Sequence, residues 1–147
     1  SALSCAALVL AATLAACGGG SDDTPAPAPA PTPVPVGDTV ALTASGRLVS
    51  FNRATPATLV GTVALSGLNS GESLLGIDVR PADGKLYGLT ADGAIVTVDV
   101  KTGAWQKLSQ LSEALPKDAV ITVDFNPVAD RLRVIASTGP GALKRMR

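Results

Sequence analysis

Histidine is absent from this 147-residue chain, and its only cysteines, Cys5 and Cys17, lie close to the N-terminus. A Ser-His-Asp triad, a Cys-His dyad and a His/Cys zinc site within one chain are therefore excluded. Aromatic residues make up only 3% and charged residues only 16%, and twelve Lys+Arg balance twelve Asp+Glu. A nucleic-acid binder would carry a basic stripe, so nucleic acid is not an expected partner. The length allows one small folded domain. Hydrophobic residues reach 46%. Their distribution divides the chain into residues 1–16, 17–37 and 38–147.

Residues 1–16, SALSCAALVLAATLAA, contain no charge, Pro or Gly. The apolar run from Ala6 to Ala16 has the length of a signal-peptide h-region. It is shorter than the roughly 20 apolar residues of a transmembrane helix. Neither Met nor a basic n-region precedes it, so the N-terminus reads as incomplete. Leu14-Ala15-Ala16-Cys17 resembles the bacterial lipobox, with a branched apolar residue and two small ones before a cysteine. The resemblance implies a diacylglycerol on the Cys17 thiol, cleavage before Cys17 and acylation of the new amino group. Small side chains admit the peptidase, and the thiolate is the nucleophile. The position at the end of an h-region makes this four-residue pattern specific. Three acyl chains exceed the two signals that stable membrane anchoring requires. Gly18 follows the cysteine where an Asp would favour the inner membrane, so the expected site is the outer membrane of a Gram-negative cell. Cys5 falls in the removed part.

From Gly18 to Val36 the chain reads GGGSDDTPAPAPAPTPVPV, which holds six of the eleven prolines. Alternating Ala-Pro favours polyproline II, and Thr24 to Val36 would span roughly 40 Å at about 3.1 Å per residue. Between an anchor and a folded region, such a run serves as a tether. A Pro-rich ligand for an SH3-like domain is the less economical reading.

From residue 38 onward the pattern is of short strands divided by turn residues. Strands are expected at Thr39 to Thr43, Arg47 to Phe51, Leu59 to Leu65, Leu74 to Arg80, Lys85 to Thr90, Ile95 to Val100, Ala104 to Leu108, Val120 to Asn126 and Arg131 to Ser137. Asp92-Gly93 and Thr102-Gly103 supply the positive φ of tight turns. Gly76 and Gly88, inside strands, suggest close packing. Leu108 to Leu115 is the one segment that reads as helical, with Pro116 ending it. After Thr138-Gly139 the strand pattern stops, and PGALKRMR carries no alternation.

The strands repeat. LTASGRLVSFN from Leu42 aligns with LTADGAIVTVD from Leu89, an offset of 47 residues. Ile77-Asp78-Val79-Arg80-Pro81 aligns with Val123-Asp124-Phe125-Asn126-Pro127, an offset of 46. A period of 40 to 50 residues built of four short strands is the spacing of propeller blades. The expected fold is thus all-β, with antiparallel propeller-like repeats. A β-sandwich with two similar hairpins is the alternative. Residues 38–147 hold only about two and a half blades, and a closed propeller needs at least four. The chain then reads as a fragment, as a different packing of sheets, or as one that assembles with copies of itself.

The segments ALTASGRLVSFN, GESLLGIDVRPADGKLYGLTADGAIVTVDVKTG and VDFNPVADRLRVIASTG, in this order, are similar to the bacterial domain-of-unknown-function family 4394. The resemblance covers Val40 to Gly139. Its most specific pieces are Gly76-Ile77-Asp78 with Arg80-Pro81, Leu86-Tyr87, and Asp124-Phe125-Asn126-Pro127 with Asp130-Arg131. At Pro140 the chain departs from the family, which continues into further strands. The resemblance implies a secreted, propeller-like domain and carries no activity.

Ten carboxylates lie between Asp38 and Asp130. Asp78 and Asp124 are the candidate ligand-binding pair, because they occupy equivalent repeat positions among apolar neighbours. No cofactor is expected, and calcium is the alternative that such oxygens would admit. A buried carboxylate needs a partner, so a structural ion pair with Arg80, Arg131 or Arg133 is the competing use. Asp83, Asp92 and Asp130 belong to turns. No EF-hand spacing, metal cluster or catalytic pair stands out, and one Tyr and one Trp leave little for sugar stacking. Tyr87 and Phe51 read as core. Core packing is the expected use of Trp105, and exposure after the Thr102-Gly103 turn is the alternative. Two function classes result. The favoured one is a membrane-anchored, non-enzymatic module that binds an envelope protein or glycan. The other is a carboxylate-based, calcium-dependent hydrolase or lyase.

Overall fold

The chain is described here by a computed structural model covering residues 29–67 and 72–137, together with the backbone of 143–146. It divides into a unit of residues 1–30 and a unit of residues 31–147. The leader, the lipobox Leu14-Ala15-Ala16 and Cys17 lie outside the described residues.

Ten strands follow one another: β1 (Thr39–Leu42), β2 (Arg47–Phe51), β3 (Leu59–Ala64), β4 (Leu74–Val79), β5 (Leu86–Thr90), β6 (Ala94–Val98), β7 (Trp105–Gln110), β8 (Val120–Asn126), β9 (Arg131–Ser137) and β10 (Leu143–Met146). They form three antiparallel sheets in chain order, β1-β2-β3, β4-β5-β6-β7 and β8-β9-β10. The fold is all-β, and the described residues contain no helix.

Two sequence expectations are corrected. The segment Leu108 to Leu115 is not helical. β7 continues to Gln110 along the edge of β6, with a register shift at Ile95/Val96, and the Leu111 amide donates to the Gly93 carbonyl at 2.9 Å. Leu111 and Leu115 instead cover the same apolar cluster from irregular chain. An open ladder edge beside a buried strand outweighs a weak helical period. The second correction is β10, which lies where the alternation stops and pairs with β9 from Leu143↔Ser137 to Met146↔Val134.

The repeat is visible atom by atom at the hairpin corners. The Thr43 hydroxyl donates to the Arg47 carbonyl at 3.1 Å and accepts the Arg47 amide at 3.0 Å. Its counterpart Thr90 donates to the Ala94 carbonyl at 3.1 Å and accepts the Ala94 amide at 2.9 Å. Thr43 also bonds Ser45, as Thr90 bonds Asp92. Gly46 and Gly93 close the two corners with φ of 72° and 86°. In strand terms β1, β2 and β3 correspond to β5, β6 and β7, while β4, β5 and β6 correspond to β8, β9 and β10. The sheets thus hold strands two to four, one to four and one to three of a common unit.

Two apolar clusters join consecutive sheets. Leu48 and Val63 of the first sheet pack with Leu74, Leu86, Val96 and Val98 of the second. Leu89 of the second packs with Val134 and Ala136 of the third, flanked by Ile95, Ile121, Val123 and Leu132. Strand alternation supplies both, since successive side chains point to opposite faces. In β6, Ala94, Val96 and Val98 look back to the first sheet and Ile95 looks forward to the third. The second and third sheets approach closely at Gly76, where a Cβ would stand 2.8 Å from Val123 Cγ2. At Gly88 a Cβ would stand 2.9 Å from Leu74 Cδ2, so both strand glycines mark close approach. The end of the Pro-rich run is packed as well. The Val34 amide donates to the Lys101 carbonyl at 2.9 Å, and Val34 joins the first cluster.

Candidate functional site

Asp78 and Asp124 occupy equivalent places on β4 and β8, but the fold gives them different partners. The Asp78 carboxylate accepts the Phe125 amide of β8 at 2.6 Å and its neighbour's amide, Val79, at 2.9 Å. It therefore stitches the second sheet to the third. Asp124 pairs across the ladder with Arg133 of β9, directly opposite in register. The two carboxylates do not share a partner. Among the described residues, no group of three or more His, Cys, Asp or Glu side chains is placed to hold a metal ion.

The densest polar cluster was not legible as one site in the sequence. It joins the β4–β5 turn to the β8–β9 turn. Arg80 donates from Nε to Asp130 Oδ1 at 2.8 Å and from Nη2 to Asp130 Oδ2 at 2.5 Å. Its Nη1 reaches Asp83 at 3.1 Å and the Tyr87 hydroxyl at 3.4 Å, and that hydroxyl donates to Asp83 at 2.9 Å. Tyr87 stands edge-on to Phe125, with ring centroids 5.0 Å apart. Arg80 and Asp130 are 50 residues apart, so only the stacking of sheets brings the two turns together. The Arg80 side chain is 32% exposed, and its bidentate fork fixes the geometry. Tyr87 is thus half-buried in a polar network rather than being a plain core residue.

The charges shift accordingly. The Arg80 guanidinium holds the Asp130 carboxyl below the usual range. The Lys85 amide, then Tyr87 and Arg80, lower Asp83. The carboxylates push Arg80 itself higher still, so it stays charged at every working pH. A carboxyl lowered in the folded state stabilises the fold above its unfolded pKa, and that contribution is lost as pH falls through the folded value. Stability is therefore expected to hold from neutrality down to about pH 4 and to fall below it. Arg80→Met should flatten this acid limb. Urea midpoints measured for both proteins between about pH 7 and pH 3 check it. Equal acid slopes would remove the Arg80 cluster as the cause.

A groove with mixed chemistry lies on the second sheet. It has a volume of about 580 Å³ and is lined by Lys85, Thr97, Asp99, Lys101, Trp105 and Gln106, among others. The Asp99 carboxylate is engaged in its own turn, accepting the Lys101 amide at 2.7 Å and the Thr102 amide at 3.3 Å. Two lysines and one carboxylate thus line the groove. Trp105 packs against the first apolar cluster and also borders the groove, and its indole N–H is buried without an acceptor. Sequence reasoning singled out Trp105 and missed the lysines, because exposed lysines carry no pattern of their own.

Residues 47–142 match the family described as Domain of unknown function (DUF4394). No curated protein and no solved structure matches the chain. Matched over more than half its length, from β2 through β9, the chain belongs to the DUF4394 family.

Proposed function

We propose that this protein is an exported lipoprotein, anchored through acylated Cys17 in the outer membrane of a Gram-negative cell, whose β-repeat domain is a non-enzymatic binding module. The sheets are read as propeller blades, and their shared four-strand unit and strict chain order support that reading. Residues 17–37 would hold the module off the lipid surface, with the envelope protein or glycan it binds on the far side. The observation that carries the binding reading is the groove over Trp105, which Lys85 and Lys101 line while the Asp99 carboxylate accepts amides of its own turn. An anionic envelope ligand suits that charge, and its attraction should weaken as salt screens it. The candidate pair Asp78 and Asp124 supports structural roles better than hydrolysis or calcium binding, since amides and a guanidinium already hold the two carboxylates apart.

Expression of the full chain in a Gram-negative host tests the anchor. Mass spectrometry should find diacylglycerol on Cys17, and Cys17→Ser should move the protein from the membrane pellet to the soluble fraction. An unmodified Cys17 in the exported protein would sink the lipoprotein reading. Trp105 is the sole tryptophan, so its fluorescence reports on the groove directly. Titration with anionic envelope glycans should change it for the native chain and not for the Lys85→Ala/Lys101→Ala variant. A response unaffected by both substitutions would place binding elsewhere.

A further inference from the structure

The Pro-rich run changes character where it meets the sheets. Its residues between prolines are Ala26, Ala28 and Ala30, then Thr32 and Val34, and Val36 follows the last proline. The two valines are half-buried, whereas residues 29–33 and Pro35 are exposed. Val34 packs against the first apolar cluster, as Trp105 does. The Pro35 carbonyl lies over Gly61 of β3, where a Cβ would stand 2.2 Å from that oxygen and 3.1 Å from Val34 Cγ2. Gly61 has no positive φ, so the strand itself would accept a side chain there. Gln106 holds the same ladder place in the second sheet, opposite Thr97 as Gly61 is opposite Ser50. Close approach of the run is therefore the reason for glycine at 61.

The seated residues grip a turn that belongs to the groove. The Val34 amide donates to the Lys101 carbonyl at 2.9 Å, and the prolines on either side of it have no amide to offer. The Ser66 amide holds the other end of that turn through the Gly103 carbonyl at 3.0 Å. Lys101 lines the groove with Lys85 and Trp105. Beyond the seat the chain is pinned separately. The Asp38 amide donates to Asn52 Oδ1 at 3.2 Å, and the Asp38 carboxylate accepts the Arg53 amide at 2.9 Å. Residues 34–36 can thus leave the cleft while β1 stays in its ladder. A half-buried segment that borders solvent opens at lower free energy than the sheets it lies on.

We propose that the cleft beside Gly61 is a binding site for an extended Val-Pro segment, and that residues 34–36 of this chain fill it as a strap whose release loosens the Lys101 turn. Seated, the strap takes three residues out of the free run, about 9 Å in polyproline II form. Pull on the run reaches the Lys101 carbonyl through the Val34 amide. By linkage, whatever firms the Lys101 turn also firms the strap. That last step concerns a ligand only through the groove reading above, whereas the strap rests on its own contacts. The test therefore uses no ligand, and its outcome is separate from binding in the groove and from lipidation.

Amide exchange of the full chain, followed residue by residue by NMR, should find Val34 protected and Thr32 exchanging freely. Gly61→Val places a side chain in the seat, and Val34→Pro removes the amide while keeping the run in polyproline II form. Both should speed exchange of the Lys101 and Thr102 amides at least about fivefold, the worth of one hydrogen bond. Exchange of the Arg53 amide, which Asp38 holds, should not change. Thr62→Val, at an exposed position of the same strand, is the control and should leave all of these as in the native chain. Val34 lies outside every strand, so Val34→Pro decides the matter even where Gly61→Val unfolds β3. Val34 exchanging as fast as Thr32 in the native chain would overturn the proposal. So would Lys101 and Thr102 amides that Val34→Pro leaves unchanged.

Discussion

Leu89→Ala is expected to lower stability by about 2–5 kcal/mol, the range for truncating a fully buried leucine in a core that cannot collapse. Leu89 is 0% exposed and sits where the second sheet meets Val134 and Ala136 of the third. Its neighbours are held in ladders, so little can move to fill the space. Stacked repeats draw stability from neighbouring interfaces. Loss at this junction should therefore loosen the third sheet from the other two. Urea unfolding should show a lower midpoint and a broader transition than that of the native chain. Leu48→Ala, at the corresponding junction of the first two sheets, should loosen the first sheet instead. Hydrogen exchange on the separate strands distinguishes the two. Equal loss of protection everywhere would mean that the three sheets unfold as one unit.

Gly103→Ala should cost about 2–5 kcal/mol, from two causes that can be separated. Gly103 has φ of 74°, a left-handed conformation that costs an L-residue about 1–2 kcal/mol. A Cβ there would also stand 2.0 Å from the Ala64 carbonyl oxygen, which is backbone and cannot turn aside. Displacing such a contact costs about 1–3 kcal/mol more. The carbonyl of Gly103 accepts the Ser66 amide at 3.0 Å, and Ser66 bridges Ala104. The substitution thus pries the chain leaving β3 away from the β6–β7 turn. Gly84→Ala is the control. Its φ is 67°, yet nothing lies within 4 Å of the added Cβ, so only the conformational cost remains. Thermal or urea melts of the two variants should differ by the steric part. Equal losses would mean that the close approach to Ala64 carries no weight.

Nine of the ten strands follow from local chemistry, because alternation and turn residues act within a few positions. The exceptions are physical. β10 lacks alternation and forms because β9 leaves a ladder edge for it, and the stretch after Leu108 has a helical period that the edge of β6 overrides. The equivalence of Asp78 and Asp124 was also legible, since it is a matter of spacing. Their partners were not, because the Phe125 amide lies 47 residues from Asp78 and becomes a partner only when two sheets stack. The Arg80–Asp130 fork, spanning 50 residues, was invisible for the same reason.

By itself the sequence determined the strands, their antiparallel hairpins, the Gly corners and the repeat, because each depends on contacts within one turn. Only the tertiary structure decided which face of each strand is core. Val49 and Val96 share one place in the repeat, yet the second is fully buried and the first is not. Among the described residues the middle sheet is covered on both sides and the first sheet on one, and burial depends on a neighbour that no local pattern contains.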